Sequence, residues 1–159
     1  MSGEGDGAPS SFLSGSEEET EEYGRRLGDR LPPDAVVYLR GELGAGKTAL
    51  ARGIAAGRGA MPRQVASPTF AILHEYADAA GAIVLRHLDL FRLRDRMDEL
   101  EILGLPDSVR GAPVVVEWPN GAVGAALPAT LEISIERTPE GRRRIAPVSC
   151  VPAGPDVVG

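Results

Sequence analysis

Gly41-Glu42-Leu43-Gly44-Ala45-Gly46-Lys47-Thr48 decides how the rest of this chain is read. Two glycines with four residues between them, followed by Lys and Thr, form the phosphate-binding loop pattern. The chemistry demands these residue types. Glycine lets the backbone turn so that successive N–H groups point inward and hold anionic oxygens. Lys47 adds a mobile positive charge for β- and γ-phosphates. Thr48 offers a hydroxyl to Mg²⁺, an ion that keeps most of its waters and takes few protein ligands. A helix that begins at Lys47 points its positive end at the same anion. The expected nucleotide-binding residues are Glu42, Leu43, Gly44, Ala45, Gly46, Lys47, Thr48 and Ala49.

The flanks fit the motif. Residues 35–39, Ala-Val-Val-Tyr-Leu, are an apolar run long enough for one buried strand. Residues 47–56 lack Pro, hold Ala49, Ala51, Ala55 and Ala56, and stop at Gly57, which predicts a helix. The competing reading is a glycine-rich turn in a chain with 20 glycines. The complete motif between a strand and a helix favours phosphate binding.

At 159 residues the chain fits one domain with a real core. That domain is expected over 15–150, between a disordered segment at 1–14 rich in Gly, Ser and Pro and a disordered tail at 151–159. Hydrophobic residues make up 43% of the chain, and no apolar run reaches the roughly 20 residues of a membrane span. The N-terminus carries acidic residues and no basic region before an apolar stretch, so no signal peptide is expected and the location is read as cytoplasmic. Cys150 is the one cysteine, which excludes an intramolecular disulfide. A net charge of −6 argues against a high-affinity nucleic-acid binder acting alone.

Along the chain, Ser16 with Glu19 reads as a capping box opening a helix over 17–31, acidic at its start and basic at its end. Residues 57–65 read as a connection. Ser67 and Thr69 flank Pro68, and two hydroxyls there can reach a metal or γ-phosphate as switch loops do, or simply make a turn. Residues 70–76 and 82–89 predict a hairpin joined at 78–81. The second strand ends on Asp89, a carboxylate suited to holding metal-bound water beside a phosphate loop, or to capping the strand end. His87 is read as a packed strand residue. Arg92, Arg94 and Arg96 read as solvated, and 98–103 as a short helix. Val114-Val115-Val116 is a buried strand ending in Glu117, which can orient an attacking water or hold a metal-bound one. Trp118 either packs at the site or caps the sheet, with core packing preferred. Asn120-Gly121 signals a turn. Residues 131–136 alternate as a half-exposed strand, and 142–148 pair with it. The run Arg142-Arg143-Arg144 reads as a solvated strand end, the one local basic patch able to touch RNA or an acidic partner.

Four segments together resemble the TsaE (YjeE) family of bacterial P-loop ATPases. They are residues 39–48 around the loop, Ser67-Pro68-Thr69-Phe70, His87-Leu88-Asp89-Leu90-Phe91-Arg92-Leu93, and Val116-Glu117-Trp118-Pro119. The resemblance covers roughly residues 16–148, and the order and spacing of all four carry it. It implies an α/β, three-layer P-loop NTPase fold: a mostly parallel central sheet with antiparallel hairpin strands and helices on both faces. It also implies an ATPase, using ATP and Mg²⁺, that supports formation of N6-threonylcarbamoyladenosine at position 37 of tRNA. The implied partners are TsaD-like and TsaB-like proteins, with tRNA contacted indirectly or weakly and no membrane. Carried over by motif, Lys47, Asp89 and Glu117 are the catalytic residues. Thr48, Glu117 and Asp89 serve the metal, and Ser67 and Thr69 form the switch-like loop. Two positions depart from the family. Ala49 stands where a second Thr is usual, and Phe91 where Tyr is usual.

Two other readings stay open on the residues. A small-molecule kinase on the same fold needs an acceptor pocket and an Arg-bearing lid. A nucleotide-gated binding module needs ATP binding to switch docking, with hydrolysis incidental.

Overall fold

The structure, a computed structural model, describes residues 11–61, 64–66, 73–91, 109–119 and 121–149. Eight strands form one sheet: β1 (Phe12–Ser14), β2 (Val36–Arg40), β3 (Gln64–Ala66), β4 (Leu73–Ala77), β5 (Ile83–Asp89), β6 (Val114–Glu117), β7 (Leu131–Arg137) and β8 (Arg143–Ser149), in the order β1-β8-β7-β2-β6-β5-β4-β3. The helices among the described residues are α1 (Glu17–Arg30), α2 (Lys47–Gly57) and α3 (Gly121–Ala126). β2 runs parallel to β6 and β7, and β5 parallel to β6, whereas every pairing nearer either edge is antiparallel. The α/β fold expected from the sequence is the observed one.

Alternation along the central strands decides which layer each side chain joins. Val37, Leu39, Val115, Ile133 and Ile135 enter one core with Leu50 and Ile54 of α2. Val36, Tyr38, Val114 and Val116 face the opposite side and pack with Leu88, Leu90, and Val123 and Leu127 in and just after α3. Both faces of the middle strands are therefore covered, which is why these strands read as continuous apolar runs. The Tyr38 hydroxyl donates to the Leu127 carbonyl and so satisfies its one polar atom inside the second core.

α1 begins as its capping box predicts. Ser16 Oγ accepts from Glu19 N at 3.1 Å, and Glu19 Oε2 accepts from the backbone N–H of Gly15 at 2.7 Å. α1 lies on α2 through glycines. A Cβ on Gly24 would stand 2.5 Å from the carbonyl oxygen of Leu50. On Gly28, Gly53 and Gly57 it would overlap the carbonyl oxygens of Ile54, Glu21 and Arg25. The two helices thus meet backbone to backbone. Gly57, expected to stop α2, is its last residue and also part of this seam.

Several expectations are corrected. Residues 12–14, expected to be disordered with the rest of 1–14, form β1 on β8, and residues 1–10 lie outside the described residues. Phe12 stacks on Tyr23 at 5.4 Å, and the buried Ser14 hydroxyl lies 2.7 Å from both Thr20 Oγ1 and Ser16 O. Tertiary contacts hold a segment too short to show its own periodicity. Gln64 and Val65, read as the end of a connection over 57–65, belong to β3, which pairs with β4 as an edge strand. Gly121 opens a helix rather than completing a turn. The hairpin of β4 and β5 stands as expected, with Asp78 Oδ1 accepting from the N–H groups of Ala80 and Ala82. The expected helix at 98–103, the residues Arg92, Arg94 and Arg96, Cys150, and the tail at 151–159 lie outside the described residues. Among the described residues no helix is long and apolar enough to cross a membrane.

Candidate active site at the start of α2

The site lies where β2 passes into α2. Gly44 and Gly46 take φ values of 78° and 115°, which side chains with a Cβ rarely adopt. Gly46 is the N-cap of α2 and no side chain caps it. The first N–H groups of the helix are thus left for an outside acceptor, at the positive end of the helix dipole. α1 shows the contrast, since Ser16 fills the same role there.

Lys47 is buried, and its ammonium folds back on its own loop. Nζ donates to Gly41 O at 2.6 Å and to Glu42 O at 2.8 Å. It also sits 4.4 Å from the centroid of the Trp118 ring. Burial pushes the Lys47 pKa down, while the nearby carboxylates of Glu117 and Asp89 oppose that shift. An anion arriving in the cleft would add to the carboxylates' effect and stabilise the charged form.

The carboxylates come from adjacent parallel strands. Asp89 and Glu117 are register partners at the ends of β5 and β6, and Glu117 is also the register partner of Leu39 in β2. Glu117 is buried, and its Oε1 accepts from Thr48 Oγ1 at 3.3 Å. Its Oε2 lies 3.6 Å from His87 Nε2. Asp89 Oδ1 accepts from the N–H of Phe91 at 3.0 Å, so this carboxylate does cap the strand end while also lining the cleft. A hydroxyl and two carboxylates are hard oxygen donors, and their convergence on an uncapped helix start fits Mg²⁺ with a polyphosphate. Lys47, Asp89, Glu117 and Thr48 are thus brought together as expected. Ser67 and Thr69 lie outside the described residues.

Three residues have more to do with the site than the sequence indicated. Trp118, preferred as a core residue, is half-buried, lies over the Lys47 ammonium and packs on Phe91 at 4.9 Å. Its φ of 57° is the one positive value outside glycine among the described residues. Pro119 disfavours right-handed helical geometry at the preceding residue, and strain of this kind clusters at functional sites. His87, expected to be a packed strand residue, is buried as expected, yet neither ring nitrogen has a hydrogen-bond partner among the described residues. Arg143, read as part of a solvated strand end, is half-buried and lines the same cleft, whose volume is about 250 Å³. The strand alternation on either side of the β7–β8 turn is the signal that separates it from Arg142 and Arg144.

The chain is similar to known proteins along most of its length. Residues 14–145 match the family described as "Threonylcarbamoyl adenosine biosynthesis protein TsaE". The tRNA threonylcarbamoyladenosine biosynthesis protein TsaE of Streptomyces coelicolor is 40% identical over 116 residues, spanning 73% of this chain and 78% of that relative. Its namesake from Bacillus subtilis is 39% identical over 130 residues, spanning 80% of this chain and 78% of that one. The crystal structure of Bacillus subtilis YdiB superposes with a TM-score of 0.68 at 31% identity, covering 88% of this chain and 84% of YdiB. A match over nearly all the described residues, together with a solved structure of the same fold, means that this chain belongs to the TsaE family.

Proposed function

We propose that this chain binds and hydrolyses ATP with Mg²⁺ in support of the complex that forms N6-threonylcarbamoyladenosine at position 37 of tRNA. The observation that carries the reading is the convergence of Lys47, Thr48, Asp89 and Glu117 on the uncapped start of α2. Loop N–H groups receive the phosphate oxygens, and Lys47 exchanges the carbonyls of Gly41 and Glu42 for the β- and γ-phosphates. Thr48 would hold Mg²⁺, with Asp89 and Glu117 reaching its waters; the ion supplies charge neutralisation across the phosphates. One of the two carboxylates takes the proton of the attacking water.

The names of the relatives support a role in tRNA modification. TsaD-like and TsaB-like proteins are the proposed docking partners, with tRNA touched indirectly or weakly. The test is ATP hydrolysis by the purified chain, alone and with that pair plus tRNA. Stimulation by the pair is the expected result, while equal rates in both settings would remove the proposed partners. Glu117→Gln should still bind ATP, hydrolyse it about 10²-fold more slowly or worse, and fail to sustain repeated rounds of modification. Full support of the pathway by a hydrolysis-dead variant would instead favour a nucleotide-gated binding module.

A further inference from the structure

Among the described residues, three cations line the cleft at the phosphate loop: Lys47, Arg52 and Arg143. Two are engaged. Lys47 donates to Gly41 O and Glu42 O, and Arg52 donates to Glu17 at 3.1 Å and Glu21 at 2.9 Å, tying α2 to α1. Arg143 is different. Its Nε is buried and meets no acceptor among the described residues. A buried guanidinium N–H without an acceptor is costly and calls for an explanation, a bound ion or a catalytic role among them. The Nε of Arg58 also lacks an acceptor among the described residues, but that guanidinium donates to Leu31 O and does not line the cleft.

The backbone fixes where this side chain lies. Arg143 is the register partner of Arg137 across β7 and β8. Arg137 Nη2 donates to Gly44 O at 2.9 Å, which ties the hairpin to the loop. Arg143 then runs beside Gly46, where a Cβ would stand 3.0 Å from its Cδ and Nε. Two like charges held side by side against an anion-binding loop repel one another unless an anion joins them. Alternation puts Arg142 and Arg144 elsewhere, and both are exposed.

Resting on the nucleotide reading above, we propose that Arg143 is a catalytic residue supplied by the chain itself, whose guanidinium contacts the γ-phosphoryl oxygens of ATP beside Gly46. In the step it serves, a water oxygen bonds to the γ-phosphorus while the bond to the β–γ bridging oxygen breaks. The electron pair of that bond stays on ADP, and the water's proton goes to a carboxylate. Arg143 exchanges no proton, because guanidinium stays charged; it stabilises the charge spread over the transferring group. Lys47 alone is a single point charge, whereas the planar fork of Arg143 can meet two oxygens at once.

The test compares wild type with Arg143→Met, which keeps an aliphatic stem beside Gly46, with Arg143→Lys, and with Arg142→Ala as an exposed neighbour. Single-turnover ATP hydrolysis, ADP affinity, trapping of ADP with aluminium fluoride, and thermal melting are read on each. Loss of about 10²–10³-fold in rate, loss of aluminium fluoride trapping, near-normal ADP affinity and partial rescue by added guanidinium are expected for Arg143→Met. Arg143→Lys should recover only part of the rate, and Arg142→Ala should match wild type. If Arg143→Met melts early, Arg143→Lys decides the matter. A folded Lys variant with wild-type rate and trapping overturns the proposal. So does an Arg143→Met variant within about threefold of wild type in rate. Wild type that binds no ATP overturns the nucleotide reading and this inference with it, whereas wild type that turns over beside an unimpaired Arg143→Met overturns this inference alone.

Discussion

Trp118 shows what one residue contributes. The sequence holds one Trp, and its ring lies 4.4 Å from the Lys47 ammonium. A cation over an indole face is worth about 0.5–2 kcal/mol, depending on desolvation. Nucleotide that draws Lys47 off the ring must change the ring's surroundings, so intrinsic fluorescence should shift as ATP and Mg²⁺ are added. An unchanged spectrum at saturating nucleotide would mean that Lys47 stays where it is. Trp118→Leu should tighten nucleotide binding by a few-fold, since the contact it removes competes with phosphate. The sequence made Lys47, Thr48, Asp89 and Glu117 legible, because a loop motif and two apolar strands ending in carboxylates are local patterns. It did not separate Arg143 from its neighbours in a run of three arginines. Which of the three turns toward Gly46 depends on the register Arg137↔Arg143, and that register is set by the hairpin as a whole.

At the scale of elements, the α1–α2 pair carries the most exacting geometry. Ala usually stabilises a helix relative to Gly by about 1 kcal/mol. Gly24→Ala and Gly53→Ala should do the opposite here. Each new methyl meets a carbonyl oxygen of the facing helix, and overpacking of this kind costs about 1–3 kcal/mol. Chemical denaturation is the check, and a stabilised Gly53→Ala would refute the seam. The spacing of Gly24 from Gly28 and of Gly53 from Gly57 is visible in the sequence, but the facing backbone is not. α1 also carries a pH-sensitive ion pair on its exposed face. Arg25, by hydrogen bond and charge, holds the Glu22 carboxyl at about 2, below its usual 4.5. The folded-state value is lowered, so the stabilisation is present above 4.5 and is lost as pH falls through about 2. Glu22→Gln should lower stability slightly at neutral pH, where the contribution is complete but small because the pair is exposed to solvent, and should converge with wild type as pH falls toward about 2. Denaturation midpoints across that range measure it.

The whole molecule links its first described strand to the site. β1 pairs with β8, and Ser14 is the register partner of Arg143. Deleting residues 1–14 should therefore lower the melting temperature and speed amide exchange in β8. It should also impair the cleft that β8 flanks. Unchanged exchange at Arg143 and Ile145 would show that β8 holds its place without β1. The α/β class is implied by the resemblance to the TsaE family, and the strand-loop-helix unit around residues 41–48 agrees with it. The antiparallel edges were only half legible. The β4–β5 hairpin has its own turn signal, whereas β1 and β3 are three-residue strands that exist only through their partners.

Chain order gives the sheet one more property. β2, the phosphate loop and α2 come early, while β7 and β8 come last among the described strands, yet β7 pairs with β2 and Arg143 of β8 lies beside Gly46. On the ribosome, the loop emerges long before the hairpin that borders it. A nascent chain therefore exposes the β2 edge where β7 will pair and carries a phosphate loop without its neighbour. Translation that stops short of β8 leaves a product with the motif intact and the flank missing, so the complete cleft is a property of the finished hairpin rather than of the motif.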